Sequence, residues 1–427
     1  MCEITKENDS LQRQTENKDE DSQKIQGNKN IPELRFPEFE GEWNKNTLNN
    51  LAKIQRGASP RPISSNRWYD NENKKVGWVR IGDVTNSSRY LYRTEDYFSE
   101  EGIKKSRFLP KGSLIMSICA TIGKPIITEI DTCIHDGFVG FSDLTNINKE
   151  FLYYILKNLE NKFISLSQTG SQANLNTNLI NKTKINMPSI KEQEKIANFL
   201  TCIDQKIELM EKIVENFLSY HKYIIQHLPL DPHNLIKKEG WQLLYLNEIL
   251  FEHKLKSNGF EEVFSVSVEK GLINQIEHLG RSFSAKNTDK YNLVKYGDIV
   301  YTKSPTGDFP LGIIKQSHVK NNVIVSPLYG IFTPKTFELG YILENYFKYP
   351  VNCHNYLHSI VQKGAKNTMN ITNKTFLSKQ LYLPTNINEQ KRIFNILYSL
   401  NRKIDLISDE IKEMREFKKG LLQKMFC

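Results

Sequence analysis

A chain of 427 residues with 39% hydrophobic content can bury two cores of ordinary domain size, and no apolar run approaches membrane-spanning length, so a soluble protein is expected. The net charge of +9 suits contacts with phosphates without requiring them. Six cysteines without a Cys-x-x-Cys pair, behind an N-terminus unlike a signal peptide, argue against a disulfide scaffold and for a reducing, cytoplasmic compartment.

Residues 1–30 are almost all polar, which predicts a disordered tail. Residues 31–187 read as a mixed α/β domain, because Val76 to Ile81, Ser113 to Cys119, Ile122 to Thr128 and Ile134 to Phe141 are short β-branched or aromatic runs bounded by Gly, Pro and Asp. Asn148 to Lys157 predicts a short helix, followed by a Gly-centred polar segment from Gln168 to Asn176. The segment 188–230 then carries a long helix. Ser189 and Glu192 form a capping box, the helix runs from about Glu192 to His227, and Pro229 and Pro232 end it. At the usual rise its 36 residues make a rod of roughly 54 Å, longer than one small core requires.

A second domain occupies 231–384, with strands expected over Glu262 to Val268, Asp298 to Thr302, Gly312 to Lys315 and Val323 to Phe332. A short helix from Gly340 to Lys348 again precedes a Gly-centred loop, Gln362 to Asn370. Residues 385–427 form a second long helix, opened by Asn386 and Glu389 as by Ser189 and Glu192.

The two helices share one layout. Ile196, Leu200, Ile203, Ile207, Met210, Val214, Phe217, His221, Ile224 and Leu228 alternate steps of four and three, and each recurs 197 residues later, from Ile393 to Met425, with Lys418 in place of His221. That spacing keeps an apolar seam against a partner helix, as in a coiled coil. The repeat extends to the heads. Gly112 to Ser117 matches Gly297 to Thr302 at an offset of 185, and Glu42-Trp43 matches Gly240-Trp241 at 198. The changing offset implies heads that diverged by insertion around fixed rods. The expected fold is therefore α+β: two mixed α/β domains separated by two long antiparallel helices, with an internal pseudo-twofold repeat.

Catalytic signatures are missing: no phosphate-cradling Gly-x4-Gly-Lys-Ser/Thr loop, no His-Glu-x-x-His, no Asn-Pro-Pro-aromatic or Gly-x-Gly-x-x-Gly sequence. Cys353, His354 and His358 lack a fourth zinc ligand, and Asp83 and Asp298 near strand ends read as turn or cap groups. The loops instead carry groups suited to phosphates and base edges: Arg56, Ser59, Arg61, Arg80, Lys124 and Gln172 in the first half, and Arg281, Lys286, Lys303, Lys315, Lys363 and Lys366 in the second. Beside the helix seam, Phe199, Leu209, Ile213, Leu218, Ile396, Leu406, Phe417 and Leu422 widen the apolar stripe and offer a surface to another chain.

Several motifs combine these features: Arg56-Gly57-Ala58-Ser59-Pro60, Gly77-Trp78-Val79-Arg80-Ile81-Gly82-Asp83, Leu109 to Ile115 with Ala120-Thr121-Ile122-Gly123-Lys124, and Glu192-Gln193-Glu194-Lys195-Ile196 after Pro188. The second half has Tyr296 to Thr302, and Glu389-Gln390-Lys391-Arg392-Ile393 after Pro384. On these motifs the chain after Ile31 resembles the specificity subunit of type I restriction-modification systems, although Gly57-Ala58-Ser59-Pro60 stands where the family often has Gly-Gly-Thr-Pro-Ser and the second half lacks a counterpart. The resemblance implies a non-catalytic protein whose two target recognition domains read a split, asymmetric double-stranded DNA sequence. It also implies two methyltransferase subunits docked on the helices, together with restriction translocase subunits. S-adenosylmethionine, ATP and Mg2+ would belong to those partners, and this chain would hold no cofactor or metal. A coiled-coil assembly protein with protein-binding heads is the alternative.

Overall fold

The computed structural model describes residues 30–167, 175–231, 238–276, 288–363 and 369–427, so the expected tail lies almost wholly outside the described residues. The chain forms two compact units, 1–210 with 410–427 and 211–409, and the division runs through both long helices.

In the first unit, β1 (Asn44–Thr47) pairs antiparallel with β11 (Lys184–Met187). A five-stranded sheet has the order β2 (Lys53–Arg56), β10 (Phe138–Ser142), β7 (Leu114–Ser117), β8 (Pro125–Thr128), β4 (Tyr90–Leu91). A four-stranded sheet has the order β5 (Asp96–Phe98), β3 (Val76–Val79), β9 (Thr132–Ile134), β6 (Arg107–Leu109). The run expected as one strand from Ile134 to Phe141 is therefore two, which enter different sheets on either side of a turn at Asp136 and Gly137. Ile81 likewise leaves the expected strand and opens helix α1 (Ile81–Thr85), whose start Asp83 fixes by accepting from the Arg80 N–H at 2.8 Å. Trp78 and Phe98 stack 4.2 Å apart over Trp68 and Cys133, an apolar cluster apart from that of Val79, Ile115, Ile126 and Phe138. Helix α2 (Glu100–Lys104) follows β5, and helix α3 (Lys149–Asn158) is capped by the Asn148 side chain, which accepts from the Phe151 N–H at 3.0 Å.

Helix α4 (Ile190–His227) contains neither Gly nor Pro, and its 38 residues span about 57 Å. In the first unit its seam residues Ile196, Leu200, Ile203, Ile207 and Met210 are buried, as are Leu421 and Met425 near the end of helix α7 (Ile387–Lys424). Lys418 and Asp204 join the two helices there in an ion pair, and Lys206 meets Glu410 at 3.2 Å. These pairs run in opposite senses along the two helices, as the expected antiparallel seam requires.

In the second unit, β12 (Trp241–Tyr245) pairs with β23 (Gln380–Pro384) as β1 does with β11. A four-stranded sheet has the order β13 (Leu250–Glu252), β20 (Gly330–Pro334), β17 (Ile299–Tyr301), β18 (Ile314–Gln316). The two-stranded pairs are β14 (Phe264–Ser267) with β15 (Gly271–Asn274), β16 (Asn292–Val294) with β19 (Val323–Val325), and β21 (Gln362–Lys363) with β22 (Met369–Asn370). The run expected from Val323 to Phe332 thus divides between β19 and β20. Helix α5 (Phe337–Phe347) begins three residues earlier than expected, capped by Thr336, and helix α6 (Pro350–Leu357) follows. Ile393 and Leu397 of α7 share one core with Ile225 of α4, Trp241 and Leu343.

The starts of the two long helices use matching side-chain contacts. Gln193 is buried and accepts from the Asn148 N–H at 2.9 Å while donating to the Pro188 carbonyl at 3.0 Å. Gln390, 197 residues on, accepts from the Thr336 hydroxyl and donates to the Pro384 carbonyl, both at 2.8 Å. Each glutamine ties the start of a long helix to the cap of the short helix in its own unit. At the first helix the Ser189 hydroxyl accepts from the Glu192 N–H at 3.4 Å as expected, but neither glutamate carboxylate makes the return contact of a capping box. Glu192 accepts from Arg35 at 2.8 Å and from the Trp43 indole at 3.2 Å, and Glu389 pairs with Lys238 and Arg392, because charged donors bind a carboxylate more strongly than a backbone N–H does.

Candidate nucleic-acid interface

The strongest convergence of expected DNA-contacting residues is at the β9–β10 turn of the first unit. Gly57 follows β2 and lies so close to this turn that a Cβ there would collide with the Ile134 and His135 carbonyl oxygens. The close approach delivers the loop's side chains to Asp136. Arg56 Nε donates to its carbonyl at 2.6 Å, Ser59 Oγ donates to its carboxylate at 2.8 Å, and Arg61 stands 3.9 Å away with its side chain mostly exposed. The Ser59 hydroxyl, foremost, holds the Asp136 carboxyl below the usual carboxylate range against the opposing effect of burial. Asp136 thus sets the loop's shape while the arginines leave a positive surface.

Arg80 lies elsewhere, in an ion pair with Asp96 at 2.7 Å and donating to the Tyr69 hydroxyl at 3.3 Å, beside a polar recess of about 650 Å³. The Lys124 ammonium donates to the carbonyls of Val84, Thr85 and Ser87 at 2.6, 3.2 and 3.0 Å, closing the C-terminal end of α1. Its protons are committed to the fold, and burial pushes its pKa down.

Sequence reasoning passed over Arg107, which the structure brings beside Arg56, and the exposed Arg67, Lys104 and Lys105 of the same unit. Arg67 stacks on Trp68 at 3.9 Å, the Ser106 hydroxyl donates to the Ala58 carbonyl at 2.6 Å, and Arg107 Nε reaches the Arg56 carbonyl at 3.4 Å. The basic run Lys104-Lys105-Ser106-Arg107 was the available signal.

In the second unit the expectations fare differently. Lys315 sits mid-strand in β18 and is buried, where it was expected near an exposed turn. Both faces of β18 are covered, so no residue of the strand points outward. Burial lowers the Lys315 pKa, opposed by Glu344. Lys303 follows β17 half-buried, its pKa also lowered by burial and opposed by Glu252. Lys363 stands in β21 opposite Met369; its side chain, and Gln172, Arg281, Lys286 and Lys366 altogether, lie outside the described residues. Asp298 behaves as a turn group, accepting from the Lys295 N–H at 2.7 Å, His253 at 2.9 Å and the Thr333 hydroxyl at 2.7 Å. Cys353 is buried against the Gly312 carbonyl, and no metal-holding group of three or more ligands occurs among the described residues.

Residues 40–216 match the type I restriction modification DNA specificity domain. The match covers the first head and most of the first long helix, and that portion of the chain is similar to the family's DNA specificity domain. A type I restriction enzyme specificity subunit of Methanocaldococcus jannaschii is 21% identical over 271 residues, 59% of this chain and 61% of that protein. One from Escherichia coli is 22% identical over 203 residues, 43% of this chain and 48% of its own length. The matches thus span about half to three fifths of these curated relatives. The crystal structure of a type I restriction-modification S subunit from M. genitalium shares the fold, with a TM-score of 0.62 at 16% identity over 93% of this chain and 99% of that one.

The residues expected to bind partners divide by exposure. Leu209, Leu218, Ile396, Leu406 and Phe417 are exposed, with Leu209 at 60%, whereas Ile213 and Leu422 are half-buried. Phe199 packs edge-on against Phe36 at 5.7 Å, so the segment after Ile31 already covers it. Exposed Tyr220, Tyr223 and Tyr398 join the apolar positions, and the ring of Tyr223 stacks on His227 at 3.9 Å.

Proposed function

We propose that this chain is the DNA-specificity subunit of a type I restriction-modification complex, its two heads each reading one half of a split, asymmetric target. The observation that supports this reading is the matched glutamine contact by which each unit ties a short-helix cap to the start of a long helix, while the loops around it differ. Conserved support with divergent loops suits one task performed on two sequences. On this reading the recognition domains are 31–187 and 231–384, the helices 188–230 and 385–427 set the distance between half-sites, and the exposed apolar positions dock two methyltransferase subunits, which support restriction subunits. S-adenosylmethionine, ATP and Mg2+ act in those partners, this chain contributes recognition without catalysis, and the complex works in the cytoplasm.

The test is to express the chain with its methyltransferase and map methylated adenines genome-wide. A gapped motif with two unlike halves is expected. A continuous motif, or none together with no salt-sensitive binding to duplex DNA, would overturn the reading.

A further inference from the structure

We propose that Arg107 reads a guanine in the first half-site, side by side with Arg56. Two backbone registers put these residues at one corner: Arg107 is paired with Ile134 at the end of β9, and Arg56 with Val139 at the start of β10. The turn between Ile134 and Phe138 therefore lies between them. Each guanidinium is held through its Nε–H by a main-chain carbonyl, Arg56 by Asp136 at 2.6 Å and Arg107 by Arg56 at 3.4 Å. The Nη atoms of both have no partner among the described residues, so each presents its two-pronged edge with the rest of the group already oriented.

That arrangement favours base reading over a phosphate contact. A phosphate accepts a charge from many directions, and a lysine serves it well. Guanine O6 and N7 take two donors side by side, which the planar arginine fork supplies in fixed geometry and a lysine ammonium offers only through a flexible, rotatable group. Orienting the fork before DNA arrives removes part of the ordering cost of binding. The Ser106 hydroxyl bond to Ala58 ties the start of β6 to the Arg56 loop, so both forks ride on one braced corner. Lys104 and Lys105, exposed just before them, suit the flanking phosphates.

This inference rests on the proposed specificity role, and its test separates the two. Arg107→Lys and Arg107→Gln chains, assembled with the methyltransferase, are compared with wild type by methylation-motif mapping and by binding to cognate and single-base-changed duplexes. Both variants should keep the wild-type melting temperature, since β6 pairs through its backbone. The expected result is relaxed choice at one guanine of the first half-site, an intact second half, and a cognate affinity lower by about ten- to a hundredfold for Arg107→Lys. A wild-type motif from both variants, or equal weakening on cognate and non-cognate duplexes, overturns the guanine reading. If the wild-type chain itself yields no split motif, the specificity role has failed instead.

Discussion

Asp204 and Lys418 form an ion pair across 214 residues of sequence, and the Tyr154 hydroxyl donates to the same carboxylate at 2.7 Å. Arg89 lies 3.6 Å from that carboxylate and donates to the Tyr154 and Thr201 hydroxyls at 2.7 and 2.9 Å. Both charges of the pair are largely shielded, so removing one leaves the other poorly solvated. Lys418→Met should destabilise the first unit by about 1–3 kcal/mol in urea unfolding, and Asp204→Asn added to it should recover part of that loss. Strict additivity of the two changes would show that the pair is not coupled.

His221 is fully buried between the Tyr349 hydroxyl at 2.6 Å and the Asn345 side chain at 2.8 Å. Burial, reinforced by the Lys348 ammonium, pushes its pKa down from 6.5 to about 4. The unfolded chain takes up the proton first as pH falls, so the contribution of this histidine is complete above pH 6.5 and is lost as pH falls toward 4. The difference in unfolding free energy between wild type and His221→Gln should therefore shrink over that window, by up to roughly 3 kcal/mol. A difference that stays constant from pH 7 to about pH 4 would show that His221 does not titrate with folding.

Lys124 and Arg61 should separate fold from surface. Lys124→Ala strips three carbonyls of their donor and should cost about 1–3 kcal/mol of stability while the folded protein keeps its DNA affinity. Arg61→Ala should leave stability within about 0.5 kcal/mol and weaken DNA binding. Melting curves and duplex titrations on both variants decide it, and reversed behaviour would relocate the surface.

The buried glutamines make a matched pair of tests. Gln193→Ala and Gln390→Ala should each lower stability by about 1–3 kcal/mol, since each orphans groups at a helix start and a cap. Unfolding monitored by denaturant would show two similar losses if the contacts are equivalent.

Deleting one matched heptad from each long helix, Ile203 to Leu209 and Leu400 to Leu406, should keep the seam in phase and shorten the rod by about 10 Å. On the proposed role, the variant should favour a spacer shorter by roughly three base pairs or lose specific binding. Full affinity at the original spacer would remove the ruler.

The helices were legible because their periodicity is long and uninterrupted: the positions from Ile196 to Met210 and from Ile393 to Ile404 are buried as their spacing requires. The heads were less so. Ile134 to Phe141 is continuously apolar or small apart from His135 and Asp136, and nothing local reveals that these two residues turn the chain between sheets. Lys315 misled for a related reason, since a strand covered on both faces has no outward position for a charge. Lys124 sits in a loop as expected, but its partners are carbonyls 37 to 40 residues away, which no local pattern encodes. Arg107 needed the pairing of β6 with β9 to become a neighbour of Arg56.

His221 and Lys418 occupy matched positions, as do Asp204 and Asn401, yet the two crossings use different chemistry. In one, Lys418 meets Asp204; in the other, His221 and Asn401 both bond the Asn345 amide oxygen at 2.8 Å. A chain assembled from two copies of the second half would face Lys418 toward Asn401, with no carboxylate to balance a shielded ammonium. Two copies of the first half would face Asp204 toward His221, a pair strongest in acid. Neither like-with-like arrangement would keep the Lys418–Asp204 ion pair, which needs one helix of each kind.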